Sequence, residues 1–332
     1  SRIRLIDAVS GRDDLIEGLN GEFSARTAIG PYRAEGGFRR AGYDFEFMLS
    51  TGRVETARSF PLTVRLGAGG VSPGVEFQGT MVIDGAASAA SGDLDASGSD
   101  LGQFLEAVLS VVGAKPPTGI NLSHPFELKT PLVLTRARIT ARPFEASLDS
   151  TGATGELIVL PGADGRIELT AEMNTLNLDE WLVAPTDNGA KGGMALSANL
   201  DVKLGALEYR GGVARQLSIT AELDDGVGSI GRLSGVFPGG SELALRGDID
   251  LSGNVPAFRG PAQLTSDNLR TLLGWLGVRT SDIAEGRLAA FSFEGDMGYS
   301  ANELAAREIR GQLDSTLFRG SMARVGLMGD PK

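Results

Sequence analysis

"MALSANLDVKL", residues 194–204, decides how the rest of this chain is read. Met194, Leu196, Ala198, Leu200, Val202 and Leu204 fall on one side of an extended backbone, and Ser197, Asn199, Asp201 and Lys203 on the other. Alternation sustained in this way is the period of a β-strand with one dry face and one wet face. At ~3.3 Å per residue the strand would run roughly 36 Å, about twice the usual length.

The same pattern recurs. "QLSITAEL" (216–223) sets Leu217, Ile219, Ala221 and Leu223 against Ser218, Thr220 and Glu222. "ELALRGDIDL" (242–251) sets Leu243, Leu245, Ile249 and Leu251 against Glu242, Arg246, Asp248 and Asp250, with Gly247 read as a bulge or bend. "FELKTPLVL" (126–134) offers Phe126, Leu128, Leu132 and Leu134, "FEFML" (45–49) offers Phe45, Phe47 and Leu49, and "RIELTAEM" (166–173) offers Ile167, Leu169 and Ala171. Pro238-Gly239-Gly240, Asp225-Gly226, Pro161-Gly162 and Asp164-Gly165 supply turn signals between such runs. No regular βα alternation appears, which favours antiparallel meanders over a parallel sheet. "GAASAASGDLDASGSD" (85–100) reads mainly as a small polar loop, although Leu94 and Ala96 give its "DLDASG" the look of a strand edge. "APTDNGAKGG" (184–193) is the best candidate linker.

Four short phrases interrupt the strands. Asp14-Leu15, Asp100-Leu101, Asn177-Leu178 and Asn268-Leu269 are each followed by a leucine four residues after the first: Leu19, Leu105, Leu182 and Leu273. An Asp or Asn side chain caps a helix by accepting a backbone N–H bond, and leucines at i and i+4 share a helical face. Phe104, Trp181 and Leu272 add bulk to the last three phrases, whereas the first has Gly18 there and is degenerate. The leading leucines lie 86, 77 and 91 residues apart. A second marker, Leu148-Asp149, Leu223-Asp224 and Leu313-Asp314, follows the last three phrases at 47, 45 and 44 residues. Two markers in step predict about four repeats of roughly 85 residues: 1–85 (degenerate), 86–165, 166–255 and 256–332, the last truncated. The phrases themselves read as short helices that punctuate the strands and cover a hydrophobic sheet end.

Composition narrows the function classes. The 332 residues include 47 glycines, few aromatics (6%) and a net charge of −11, with no basic cluster, so nucleic acid and anionic membrane surfaces are poor candidate partners. There is no cysteine and a single histidine, His124, which sits before a proline and reads as a surface or turn residue. Thiolate sites and two-histidine metal sites are thereby excluded within one chain. "DLDASG" (93–98) opens like a calcium loop, but Phe104 stands where the bidentate glutamate belongs. "GAKGG" (189–193) lacks the first glycine and the Ser/Thr of a phosphate loop. No convergent acid–base set is visible, so the chain is expected not to be an enzyme and to need no cofactor or metal. No run of 18 apolar residues crosses a bilayer as a helix. The chain starts at Ser1 rather than Met and stops at Pro331-Lys332, as a piece of a longer protein would.

What the sequence has in quantity is long one-sided strands. Their apolar faces fit either two sheets packed into a closed sandwich or a continuous apolar trough. "FPGGSELALRGDIDLSGNVPAFRGPAQLTSDNLRTLLGWLG" (237–277) resembles the AsmA-like family of bacterial envelope proteins, with similar phrasing in "DLIEGLNGEFSA" (14–25), "FQGTMVIDGAASAASGDLDASGSDLGQFLE" (77–106) and "ARQLSITAELDDG" (214–226). The resemblance implies an elongated, twisted antiparallel β half-pipe with an apolar interior and short punctuating helices. It implies a periplasmic body whose full-length protein is anchored in the inner membrane by an N-terminal helix that is not part of these residues. It also implies non-enzymatic binding and transfer of phospholipid or other membrane lipid between inner and outer membranes, in support of outer-membrane assembly, with inner- and outer-membrane envelope proteins as further partners. The expected lipid-lining positions are Phe126, Leu128, Leu132, Leu134, Leu196, Ala198, Leu200, Val202, Leu204, Leu217, Ile219, Leu223, Leu243, Leu245, Ile249 and Leu251. The alternative is a scaffolding β-repeat protein that binds other envelope proteins at a sheet edge.

Overall fold

The computed structural model describes residues 2–6, 13–40, 43–68, 71–105, 120–161, 165–182, 197–253 and 255–325. It divides into two units, residues 1–162 and 163–332.

The first unit contains β1 (Arg2–Ile6), β2 (Asp13–Ala25), β3 (Tyr32–Arg40), β4 (Tyr43–Thr51) and β5 (Ser59–Ala68). It continues with β6 (Val71–Val82), β7 (Ala89–Gly98), β8 (Phe126–Thr135), β9 (Ile139–Leu148) and β10 (Thr151–Leu160). Each strand pairs antiparallel with the next, giving an open meander that does not close into a barrel. Segment 85–100, expected mainly as a loop, is mostly strand β7. Its small residues suit close pairing: Gly92 faces Gly79, and Ala90 and Ala96 are buried beside larger neighbours.

The second unit contains β11 (Arg166–Asn177), β12 (Ala198–Tyr209), β13 (Gly212–Asp224), β14 (Val227–Phe237) and β15 (Ser241–Asp250). It ends with β16 (Ala257–Ser266), β17 (Phe291–Tyr299), β18 (Glu303–Leu313) and β19 (Thr316–Val325). From β12 onward the pairing is an antiparallel meander. The exception to the antiparallel expectation is β11 with β12, which run parallel with Leu169 opposite Leu200. A tight hairpin reverses direction, but the connection here is residues 178–197, long enough to return the chain to its starting end. The candidate linker 184–193 lies in that connection and outside the described residues.

Strands other than β1 are 9–13 residues long, and their side chains alternate as the sequence demands. In β15 the half-buried Leu243, Leu245 and Ile249 alternate with the exposed Glu242, Arg246 and Asp248. Gly247, read as a bulge or bend, lies within β15 at φ 148°, beside a register shift whose extra residue is on β14.

Three of the four phrases are capped helix starts. Helical residues 101–105 (α1) begin after Asp100, whose Oδ1 accepts from the Gln103 N–H at 2.8 Å. Asn177 accepts from Asp179 N at 3.2 Å ahead of α2 (Leu178–Trp181), and Asn268 accepts from Thr271 N at 3.1 Å ahead of α3 (Leu269–Trp275). The first phrase is not a helix, because Asp14–Leu19 lies within β2. Gly18 stands there at φ 61° and disfavours a helix interior, while Leu15 and Leu19, four apart, share a face of a strand as readily as of a helix. The helices do cover sheet ends. Leu269 and Leu272 pack with Leu288 over Phe237, Leu264, Phe291 and Leu313, and the Phe104 ring lies 4.7 Å from that of Phe126. Trp275 Nε1 donates to Tyr209 O at 2.6 Å, and Asp179 Oδ2 accepts from Arg210 N at 2.7 Å, so α2 and α3 both grip the tip of the β12–β13 hairpin. The second marker also has a structural meaning. Leu148 and Leu313 end the second strand after α1 and α3, and Leu223 is next to last in the second strand after α2; the tight turns that follow hold Asp149, Asp314 and Asp225 at φ near 50°.

Candidate functional site

Register turns the alternating strands into continuous apolar rows. In the first unit Leu66, Val75, Ala96, Leu128 and Ala146 stand opposite one another across β5 to β9, and Met81, Ala90, Leu134 and Ile139 form a parallel row. In the second unit Leu169, Leu200, Ala221 and Ile230 form one row, and Ala171, Val202, Ile219, Leu233, Leu245 and Ala262 another. One face of each sheet is therefore aliphatic over many strands.

The expected lining positions fall on these faces. Phe126, Leu128, Leu132 and Leu134 share the apolar face of β8, where Phe126 and Leu132 are buried and the other two half-buried. In the second unit Leu200, Val202, Leu204, Leu217, Ile219, Leu243, Leu245 and Ile249 are all half-buried, while Ala198 and Leu223, opposite one another, are buried. Leu251 is half-buried just past β15, where its N–H donates to Gly226 O at 2.8 Å. Leu196 lies outside the described residues. Sequence reading missed Leu62, Val64, Phe77 and Met81, which with Leu132 and Ala141 belong to one apolar cluster. It also missed Phe258, Leu264 and Phe293, which continue the face across β16 and β17. The alternation in "FPLTVRL" (60–66) and "FRGPAQL" (258–264) carried that signal.

Fixed polar groups are few on the apolar faces. Thr130 is buried there, and its single O–H is shared between Pro143 O (3.0 Å) and Pro131 O (2.9 Å), so its proton is satisfied within the sheet. The opposite face is a ladder of charges. Arg65, Glu76, Asp95, Lys129 and Glu145 succeed one another across β5 to β9, with Arg65 and Glu76 paired at 2.8 Å. In the second unit Glu172 meets Lys203 at 2.7 Å, and that hydrogen bond holds the Glu172 carboxyl below its ordinary value. Asp296 stands opposite Arg307, and Glu294 opposite Arg310. Grooves of about 650, 520 and 430 Å³ run along this unit. Their lining mixes charged and hydroxyl-bearing residues, such as Asp248, Arg259, Arg246, Glu294, Thr170 and Asp201, with residues of the apolar face such as Leu200, Ile249 and Phe258.

Of the two positions expected of His124, surface or turn, the structure bears out the turn and not the surface. It occupies a bend but is buried, with Nε2 3.4 Å from Asn121 Nδ2. Its carbonyl accepts from Leu101 N at 2.9 Å, which ties the bend to the start of α1. Among the described residues no three Asp, Glu or His side chains are placed to hold a metal ion. No family model, curated protein or solved structure matches the chain, so the AsmA-like resemblance rests on the phrases quoted above.

Proposed function

We propose that the apolar sheet faces bind the acyl chains of membrane lipids and let them pass without covalent chemistry, as part of a lipid-transfer path between two membranes. The observation that carries this reading is the partial exposure of the large aliphatic side chains in the rows, among smaller residues that are buried. A second sheet laid on Leu200, Val202, Ile219 and Leu245 would bury them, yet they remain half-buried. Such a face suits a methylene chain, which needs contact and no hydrogen bonds. Each methylene removed from water contributes about 0.8 kcal/mol, so a lipid drawn into water loses on the order of 20 kcal/mol over tens of methylenes, and a dry path lowers that barrier. The periplasmic setting, the inner-membrane anchor and the outer-membrane destination come from the AsmA-like resemblance.

Native mass spectrometry of the purified chain, together with transfer of an acyl-fluorescent phospholipid between vesicles, tests the reading. Bound phospholipid and accelerated transfer are expected. A chain that carries no lipid and accelerates nothing refutes it. The scaffolding alternative draws on β19, which exposes Leu317 (79%) and Met322 (63%) and so offers contact area to a protein.

A further inference from the structure

We infer that the chain carries two equivalent acyl-chain seats, one on each unit, because residues 59–160 and 227–325 are two copies of one six-strand module. The ligand in this inference rests on the lipid reading above; the duplication does not.

The evidence is register. Strands β5 and β14 begin at 59 and 227, and β7 and β16 begin at 89 and 257, an offset of 168 in both cases. The ladders keep that offset: Phe60 opposite Met81 becomes Gly228 opposite Ile249, and Gly74 opposite Ser97 becomes Glu242 opposite Thr265. The helix caps keep it too, since Asp100 holds Gln103 N and Asn268 holds Thr271 N. The segment between helix and next strand is three residues shorter in the second copy, and from there the offset is 165. Phe126 opposite Leu148 becomes Phe291 opposite Leu313, and Thr151 opposite Leu148 becomes Thr316 opposite Leu313.

From β8 and β17 onward the irregularities repeat as well, whereas the shifts in β13–β14 and at Ile230/Leu233 in β14–β15 have no counterpart in β4–β5 and β5–β6. The β8–β9 ladder slips after Lys129 and the β17–β18 ladder after Glu294, 165 residues on. The β9–β10 ladder jumps from Gly155–Phe144 to Leu157–Ala141, and β18–β19 jumps from Gly320–Ile309 to Met322–Ala306. Asp149 N donates to Pro125 O at 2.8 Å, and Asp314 N donates to Ala290 O at 2.8 Å. Gly79 and Gly92 meet so closely that a Cβ on Gly79 would lie 2.6 Å from the Gly92 Cα. Gly247 and Gly260 meet in the same way, at 2.7 Å. Bulges are positional features of a ladder, and their repetition at one offset marks a duplicated module.

The two copies have kept the polarity of the face and changed what is on it. Met81, Ala90, Leu134 and Ile139 of the first correspond to Ile249, Phe258, Tyr299 and Leu304 of the second. A slip of one residue in any of these ladders would turn a strand's apolar set to the charged side. A protein partner fitted to knobs and pockets would hold side-chain sizes fixed. A methylene chain asks only that the face stay continuous and apolar, which is what both copies share.

The test uses the full chain loaded from phosphatidylcholine vesicles, with bound phospholipid counted by native mass spectrometry. Leu128→Glu and Phe293→Glu alter equivalent half-buried positions. Each should remove about half of the bound lipid and the double variant nearly all. Loss of all lipid from either single variant means one shared seat and overturns the inference, and a silent single variant does the same. An empty wild-type chain would instead bring down the lipid reading on which the ligand rests. Because a glutamate could unfold its unit, the wild-type chain is also labelled with a diazirine fatty acid. Cross-linked peptides from both β8 and β17 are expected, and labelling of one copy alone overturns the inference.

Discussion

Leu200→Glu separates an open face from a closed core. Leu200 stands between Leu169 on β11 and Ala221 on β13, directly opposite both, and is half-buried. Its replacement loses part of a leucine's burial, about 1–2 kcal/mol, while the carboxylate can still turn toward water. An unpaired carboxylate forced into a packed sandwich would cost several kcal/mol, a large fraction of a domain's whole stability. For a unit of this size 1–2 kcal/mol lowers Tm by roughly 2–8 °C. Leu223→Glu is the matched control, because Leu223 is 4% exposed on the next strand's same face and its glutamate has no route to solvent. We expect Leu200→Glu to keep a strand-rich circular dichroism spectrum and to lose bound lipid, and Leu223→Glu to unfold its unit. Asp201→Asn, on the charged face, should change neither. Cooperative unfolding of Leu200→Glu at the temperature where Leu223→Glu unfolds would show that the face is closed and refute the argument.

Asn268→Ala removes the Oδ1 that accepts from Thr271 N and should cost about 1 kcal/mol, read as a lower urea midpoint with unchanged slope. Gly212→Ala places a Cβ 2.4 Å from Trp275 Cδ1, so the indole must leave Tyr209 O. In a Trp181→Phe background, the remaining tryptophan fluorescence should shift to the red, and an unshifted spectrum would mean that the hairpin tip is not gripped as described. The Glu172 carboxyl is held below its ordinary value of 4.5 by the Lys203 hydrogen bond and charge. Its contribution to stability is therefore present above pH 4.5 and lost as pH falls through the lower folded value. Lys203→Met should remove that part of the acid dependence, and a pH–stability profile identical to wild type would contradict it.

Strand existence was legible because polarity alternation is a local property: residues 198–204, 126–134 and 242–250 each reveal their two faces without knowledge of a partner. Caps were legible for the same reason, since Asp100, Asn177 and Asn268 bond to backbone two or three residues away. The phrase at Asp14 misled because leucines four apart satisfy both the helical and the strand period, and only Gly18's conformation broke the tie. Segment 85–100 looked like a loop because its strand character lies in a distant complement, Gly79 opposite Gly92 and Leu134 opposite Ala90. Pairing partners, the parallel β11–β12 ladder, and the degree to which each apolar face is covered depend on contacts far apart in sequence, and single-strand periodicity carries no term for them. Read locally, alternation revealed the two-faced strands and capping revealed three of the four expected helix starts. Which strands meet, in which register, and which row residues are buried or only partly covered came from the fold, because register and coverage are properties of pairs of segments that no single segment encodes.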